Sequence, residues 1–149
     1  MRHRRVIVLL TVGLLLGTSL VAQTPAPQAF PKAKLNLQDG DKKKEIDATV
    51  KYDAHALIIV ERNTSQLLKT MSYATMKGAE YSYAKSPRWK TAIFVSPLFL
   101  FTSGKKHWFM VQTTDDYALL QLDKSNYKLV LAAFEVKTGK KVETVEDSK

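Results

Sequence analysis

The chain has no cysteine among its 149 residues, which removes disulfides, thiolate metal ligands and thiol nucleophiles together. Glycine (6) and proline (5) are scarce, so collagenous and low-complexity classes are excluded. Histidine numbers only 3, and beyond the basic start just His55 and His107 remain, so general bases are in short supply. No closed zinc site and no cofactor are expected from such a set. Acid is also short: 14 Asp and Glu stand against 23 Lys and Arg, a net charge of +9. That balance favours anionic partners or simply serves solubility. Finally, no apolar run reaches the roughly 20 residues that span a bilayer. Two come near it, Val6 to Ala22 and the stretch ending at Phe101.

The first of these reads as an export signal. Arg2, Arg4 and Arg5 precede the apolar Val6 to Leu16, and Ala22 closes the segment, so 1–22 is expected to be cleaved between Ala22 and Gln23. The protein would then be periplasmic or extracellular, and without cysteine it carries no lipid anchor. Removing three arginines leaves about 127 residues at about +6, the size of one domain with one core. Residues 23–44 hold Pro25, Pro27 and Pro31 and end in Lys42-Lys43-Lys44, and read as a solvated linker. A folded domain is expected over 45–142, with a charged tail at 143–149.

Within the domain, Ile46, Ala48, Val50 and Tyr52 alternate with polar residues, the period of a strand with one buried face. Asp53-Ala54 turns the chain into the apolar Leu57 to Val60, an antiparallel partner. Gln66 to Tyr73 and Ala79 to Ala84 read as further strands, the latter with Tyr81 and Tyr83 on one face, and Thr75 to Gly78 as a helical turn between them. Lys105 to Thr113 places His107, Phe109 and Val111 on one face and Trp108 and Met110 on the other. Tyr117 to Leu122 answers it, with Leu120 and Leu122 facing the core. The period then changes to 3.6: Tyr127, Val130, Leu131 and Phe134 predict a helix, capped by Asp123 or Ser125 and stopped at Gly139. The fold class is mainly β with one C-terminal helix.

Two antiparallel groups of strands followed by an amphipathic helix resemble the pleckstrin-homology-like barrel over Glu45 to Val142. The most specific pieces are Gly104-Lys105-Lys106-His107-Trp108, Leu122-Asp123-Lys124 and Thr138-Gly139-Lys140, which resemble small exported bacterial proteins of this architecture. The resemblance implies a barrel or sandwich capped by the helix, and a binding or scaffolding role rather than catalysis. One departure is visible. Phosphoinositide-binding members carry a basic pair near the loop between the first two strands, whereas Asp53-Ala54-His55-Ala56, read as that loop, has neither lysine nor arginine. Inositol-phosphate recognition is not expected there.

Candidate ligand-binding residues are Arg88, Trp89, Lys105, Lys106, His107 and Trp108, basic and aromatic side chains suited to a phosphate or a flat ring. Alternation along the strand lets at most half of Lys105 to Trp108 meet one ligand, since His107 and Trp108 face opposite ways. The apolar Ala92 to Phe101 either dips into a membrane interface or is buried, and burial is expected. His55 beside Asp53 reads as a turn rather than a dyad. Asp39-Gly40-Asp41 is followed by three lysines where a calcium loop needs oxygen, and Asn63-Thr64-Ser65 matches an N-glycosylation pattern of low specificity. The expected function is a non-enzymatic exported module binding an anionic lipid head group, a peptide or an envelope protein. The alternatives are a small histidine-dependent hydrolase or a structural subunit of an envelope assembly. Nucleic acid is not an expected partner.

Overall fold

The computed structural model describes residues 28–39, 42–89 and 103–146. The leader at 1–22 and the apolar stretch from Ala92 to Phe101 lie outside these residues. Eight strands and one helix follow in the order β1 (Gln28–Asp39), β2 (Lys42–Tyr52), β3 (Ala56–Glu61), β4 (Leu67–Ser72), β5 (Met76–Ala84), β6 (Lys106–Thr113), β7 (Tyr117–Leu122), α1 (Tyr127–Thr138) and β8 (Val142–Thr144). They form one sheet in the order β4-β3-β2-β1-β7-β6-β5-β8. All neighbours are antiparallel except β5 and β8, which run parallel.

Residues 28–39 correct the linker reading. They form β1, which pairs along its length with β2 and, over Ala33 to Asn36, with β7. Pro31 misleads because a proline normally breaks a ladder. Here it sits in a bulge between Phe30 and Ala33, where no ladder N–H is required, and Lys32 takes a left-handed φ of 66° beside it. Beyond the bulge Ala33 and Leu35 are buried, and Leu37 packs against the same core. β1 therefore joins the two halves of the sheet. Among the described residues it is also the first strand, so Asp53 to Ala56 lies in the second hairpin, and the lysines that follow the first hairpin's turn are Lys42, Lys43 and Lys44 on β2.

The sheet folds over its main core. Val50, Tyr52, Leu57, Ile59 and Met71 from β2 to β4 meet Phe109, Val111, Leu120 and Leu122 from β6 and β7, with Val130 and Phe134 of α1 between them. Phe134 packs edge-on against Phe109 at 5.6 Å between ring centroids. Two polar ties set the helix in place. Tyr52, wholly buried, donates its hydroxyl to the Val130 carbonyl at 2.9 Å, and Asn126 donates to the Pro31 carbonyl in the β1 bulge. At the far edge Lys69 of β4 reaches the Asp116 carboxylate at 2.7 Å and the Tyr117 carbonyl at 2.6 Å, drawing the open edge towards the β6–β7 turn.

The helix ends were only half legible. Asp123 does not cap α1: its carboxylate accepts from the Ser125 amide at 2.9 Å and closes the turn before the helix, while Asn126 at the cap position makes no side-chain bond to it. The stop is as expected, with Gly139 at φ 69° donating to Glu135 at 2.9 Å. A Cβ at Gly139 meets no steric obstacle, so Gly139→Ala should cost about 1 kcal/mol from backbone strain alone, read as a lowered urea midpoint. The helical turn placed at Thr75 to Gly78 occurs slightly earlier, at Tyr73–Thr75. Residues 143–146 are not a tail: β8 continues through Thr144, Val145 is buried, and its amide donates to the Tyr81 carbonyl at 2.8 Å.

Candidate functional site

The six residues singled out in the sequence do not share one surface. Trp108 is wholly buried on the sheet face opposite the helix, with its indole N–H donating to the Ala84 carbonyl at 3.2 Å. There it forms a second small cluster with Met110 and Leu119, against which Trp89 and Tyr117 pack. Trp108 is therefore a structural residue, and Trp89 is held beside it rather than presented as a free ring. Arg88 is exposed, and its backbone amide is tied to the Glu146 carbonyl at 3.2 Å. Lys106 is half-buried and by alternation shares the Trp108 side of β6. Only Lys105 and His107 reach a common surface.

That surface is a stack of rings at the start of α1. β5 supplies Tyr81 and Tyr83, β6 supplies His107, and the first helical residue supplies Tyr127. His107 lies 4.6 Å from Tyr83 and 4.0 Å from Tyr127, with interplanar angles of 27° and 17°. Tyr81 is stacked at 5.6 Å on Tyr127, and its hydroxyl meets His107 Nδ1 at 2.7 Å. The positions follow from local rules: Tyr81 and Tyr83 are two apart on one strand face, and Tyr83 lies opposite His107 in the β5–β6 ladder.

Lysines surround the rings. Lys105 Nζ lies 5.9 Å from the Tyr83 ring centre and Lys128 Nζ 6.0 Å from that of Tyr127, both within cation–π range. Lys124 and Ser125 complete an open depression of about 520 Å³. Burial lowers the His107 pKa from its ordinary 6.5, Lys124 lowers it further, and Asp123 opposes them. Burial, with Tyr127 and Tyr83 adding to it, pushes the Tyr81 hydroxyl up to about 12. The pair is therefore a neutral imidazole and a protonated phenol at pH 7. Hydrogen bonds from Ser125 hold the Asp123 carboxyl below its ordinary value.

Sequence reasoning placed Tyr81 and Tyr83 together but assigned them no role, and read Tyr127 as a core residue of the helix. The missing signal was the register that sets His107 against both. Among the described residues no three His, Asp or Glu side chains gather as a metal site would require. The imidazole's ring partner is a phenol, which does not orient a general base as a carboxylate does. The arrangement suits binding: hydroxyl and ammonium donors at the edges of a rigid aromatic stack.

The sheet wrapped on one core with a C-terminal helix against it is a pleckstrin-homology-like sandwich. The Spt16D Pob3N heterodimer has a similar structure, at a TM-score of 0.52 and 14% identity, covering 84% of this chain and 57% of that one. The chain thus spans a little over half the length of that neighbour, and the likeness concerns the fold alone. The C-terminal domain of an unknown protein from Leishmania infantum aligns less well, at a TM-score of 0.44 and 10% identity over 76% of this chain and 86% of that one. No protein-family model matches the sequence, and no curated protein matches it.

Proposed function

We propose that this chain is an exported, non-enzymatic binding module of the cell envelope that docks on anionic lipid head groups through the Tyr83, His107 and Tyr127 surface. The observation that supports it is the open groove in which stacked rings are flanked by the exposed Lys105, Lys124 and Lys128. Tyrosine is suited to the head-group layer because an apolar ring carries a polar tip, and each lysine near an anionic leaflet contributes about 1 kcal/mol. Export rests on the basic and apolar segment 1–22, with cleavage after Ala22, and it would place the module where envelope lipids are its nearest anionic surface. An acidic peptide or envelope protein is the competing occupant. A histidine-dependent hydrolase is disfavoured by the phenol partner of His107, and the segment by which a structural subunit would dock, Ala92 to Phe101, lies outside the described residues.

Co-sedimentation with neutral and phosphatidylglycerol-containing vesicles tests the reading. Binding should require the anionic lipid and weaken as salt rises. Lys124→Glu with Lys128→Glu should lower the affinity at least roughly tenfold at low salt. Binding to neutral and anionic vesicles alike, or to neither, would reject the lipid reading.

A further inference from the structure

We propose that the groove beside His107 takes a phosphate-type oxyanion and holds it more tightly when the imidazole is protonated. The inference rests on the binding reading and adds to it the ligand's chemistry and its control by pH. Strand registers place this groove away from the first hairpin. His107 pairs with Leu122, which pairs with Ala33, whereas the first hairpin turns beyond Asp39 at the opposite end of β1.

The geometry assigns the donors. Tyr81 keeps its proton throughout the physiological range, so its hydroxyl can donate to Nδ1 at 2.7 Å, and the remaining ring proton then sits on Nε2. The neutral ring thereby offers an N–H, with Lys124 and Lys128 supplying charge in the same depression. Ammonium and imidazole N–H donors directed at one oxyanion are charge-assisted and short. The groups that face His107 are Tyr81 and Tyr83 from β5, Tyr127 and Lys128 from α1, and Lys124 and Asp123 from the connecting turn, with Lys105 beyond Tyr83. Lys124 opposes protonation and Asp123 favours it. An oxyanion seated between His107 and Lys124 screens the first effect and adds to the second, so anion and proton assist each other. By linkage each raises the other's affinity by the same factor.

The sign follows from the lowered His107 value. Without anion the ring is mostly neutral at pH 7, and affinity rises as pH falls through the midpoint of the anion-bound ring, levelling off below that of the free ring, which lies under 6.5. Sulfate is the probe, because its own charge is constant over this range. Titrating sulfate into the full chain, followed by NMR of the His107 ring, should give a roughly fivefold tighter Kd at about pH 5.5 than at about pH 7.5. Saturating sulfate should also move the His107 midpoint upward. His107→Asn should keep weak sulfate binding and lose the pH step. A wild-type affinity that is the same at both pH values, or a midpoint that sulfate leaves in place, overturns the proposal whether or not that variant folds. Phosphatidylglycerol vesicles separate the sources. A matching pH step there identifies a lipid head group, whereas a step with sulfate and no vesicle binding identifies a soluble oxyanion and removes the lipid reading alone. Binding to neither probe removes both.

Discussion

A chain shortened to begin at Glu45 should not fold. The truncation removes all of β1, with the buried Ala33 and Leu35, and strips β2 and β7 of their shared neighbour. Burying a leucine side chain contributes roughly 1.5–3 kcal/mol and an alanine methyl about 0.8 kcal/mol, and the backbone groups of two strands would lose their ladder partners as well. The total approaches the roughly 5–15 kcal/mol by which domains of this size are stable. Amide NMR dispersion and urea unfolding give the readout: collapsed dispersion and no cooperative transition from Glu45, against a normal transition for a chain beginning at Gln23. A cooperative transition with an unchanged midpoint in the shorter chain would show that β1 is dispensable and restore residues 23–44 as a linker.

Trp108→Ala should destabilise the protein by about 3–5 kcal/mol while leaving the ligand affinity of the folded fraction unchanged. The side chain is wholly buried among Met110, Leu119 and Trp89, and its indole N–H is satisfied by the Ala84 carbonyl. Truncation therefore opens a cavity and orphans an acceptor together. Trp108→Phe retains most of the packing and should cost about half as much. Urea midpoints at constant m-value measure both. Loss of anion binding in the Phe variant without loss of stability would return Trp108 to the binding surface.

The contrast between Trp108 and His107 shows how far the sequence could be read. Alternation correctly sent the two side chains to opposite faces, His107 towards the helix and Trp108 away from it. What alternation does not contain is that both faces of β6 are covered, one by the helix and one by the Trp89 cluster. A tryptophan next to lysines looks like a ligand contact until the second layer is known. Tyr127 illustrates the reverse. Its helical spacing with Val130 and Phe134 marked it as core, and it does pack against that core, but at the first turn its half-buried ring also stacks on His107 and so lines the groove.

β1 failed for a different reason. Ala33, Leu35 and Leu37 carry the alternating signal, but Pro31 argues against a strand unless a bulge is known to receive it, and a bulge depends on the partner strand.

The sequence by itself determined the elements whose signals are local. These are the alternating strands from Ile46 to Leu122, the period of 3.6 after it, and the stop at Gly139, because side-chain periodicity and the left-handed preference of glycine act within a few residues. Only the tertiary structure decided that residues 28–39 join the sheet, that β8 adds to its edge, and that Tyr81, Tyr83, His107 and Tyr127 meet in one stack. Those outcomes are set by pairings between strands and by the docking of the helix, contacts between residues far apart in the chain that no local pattern encodes.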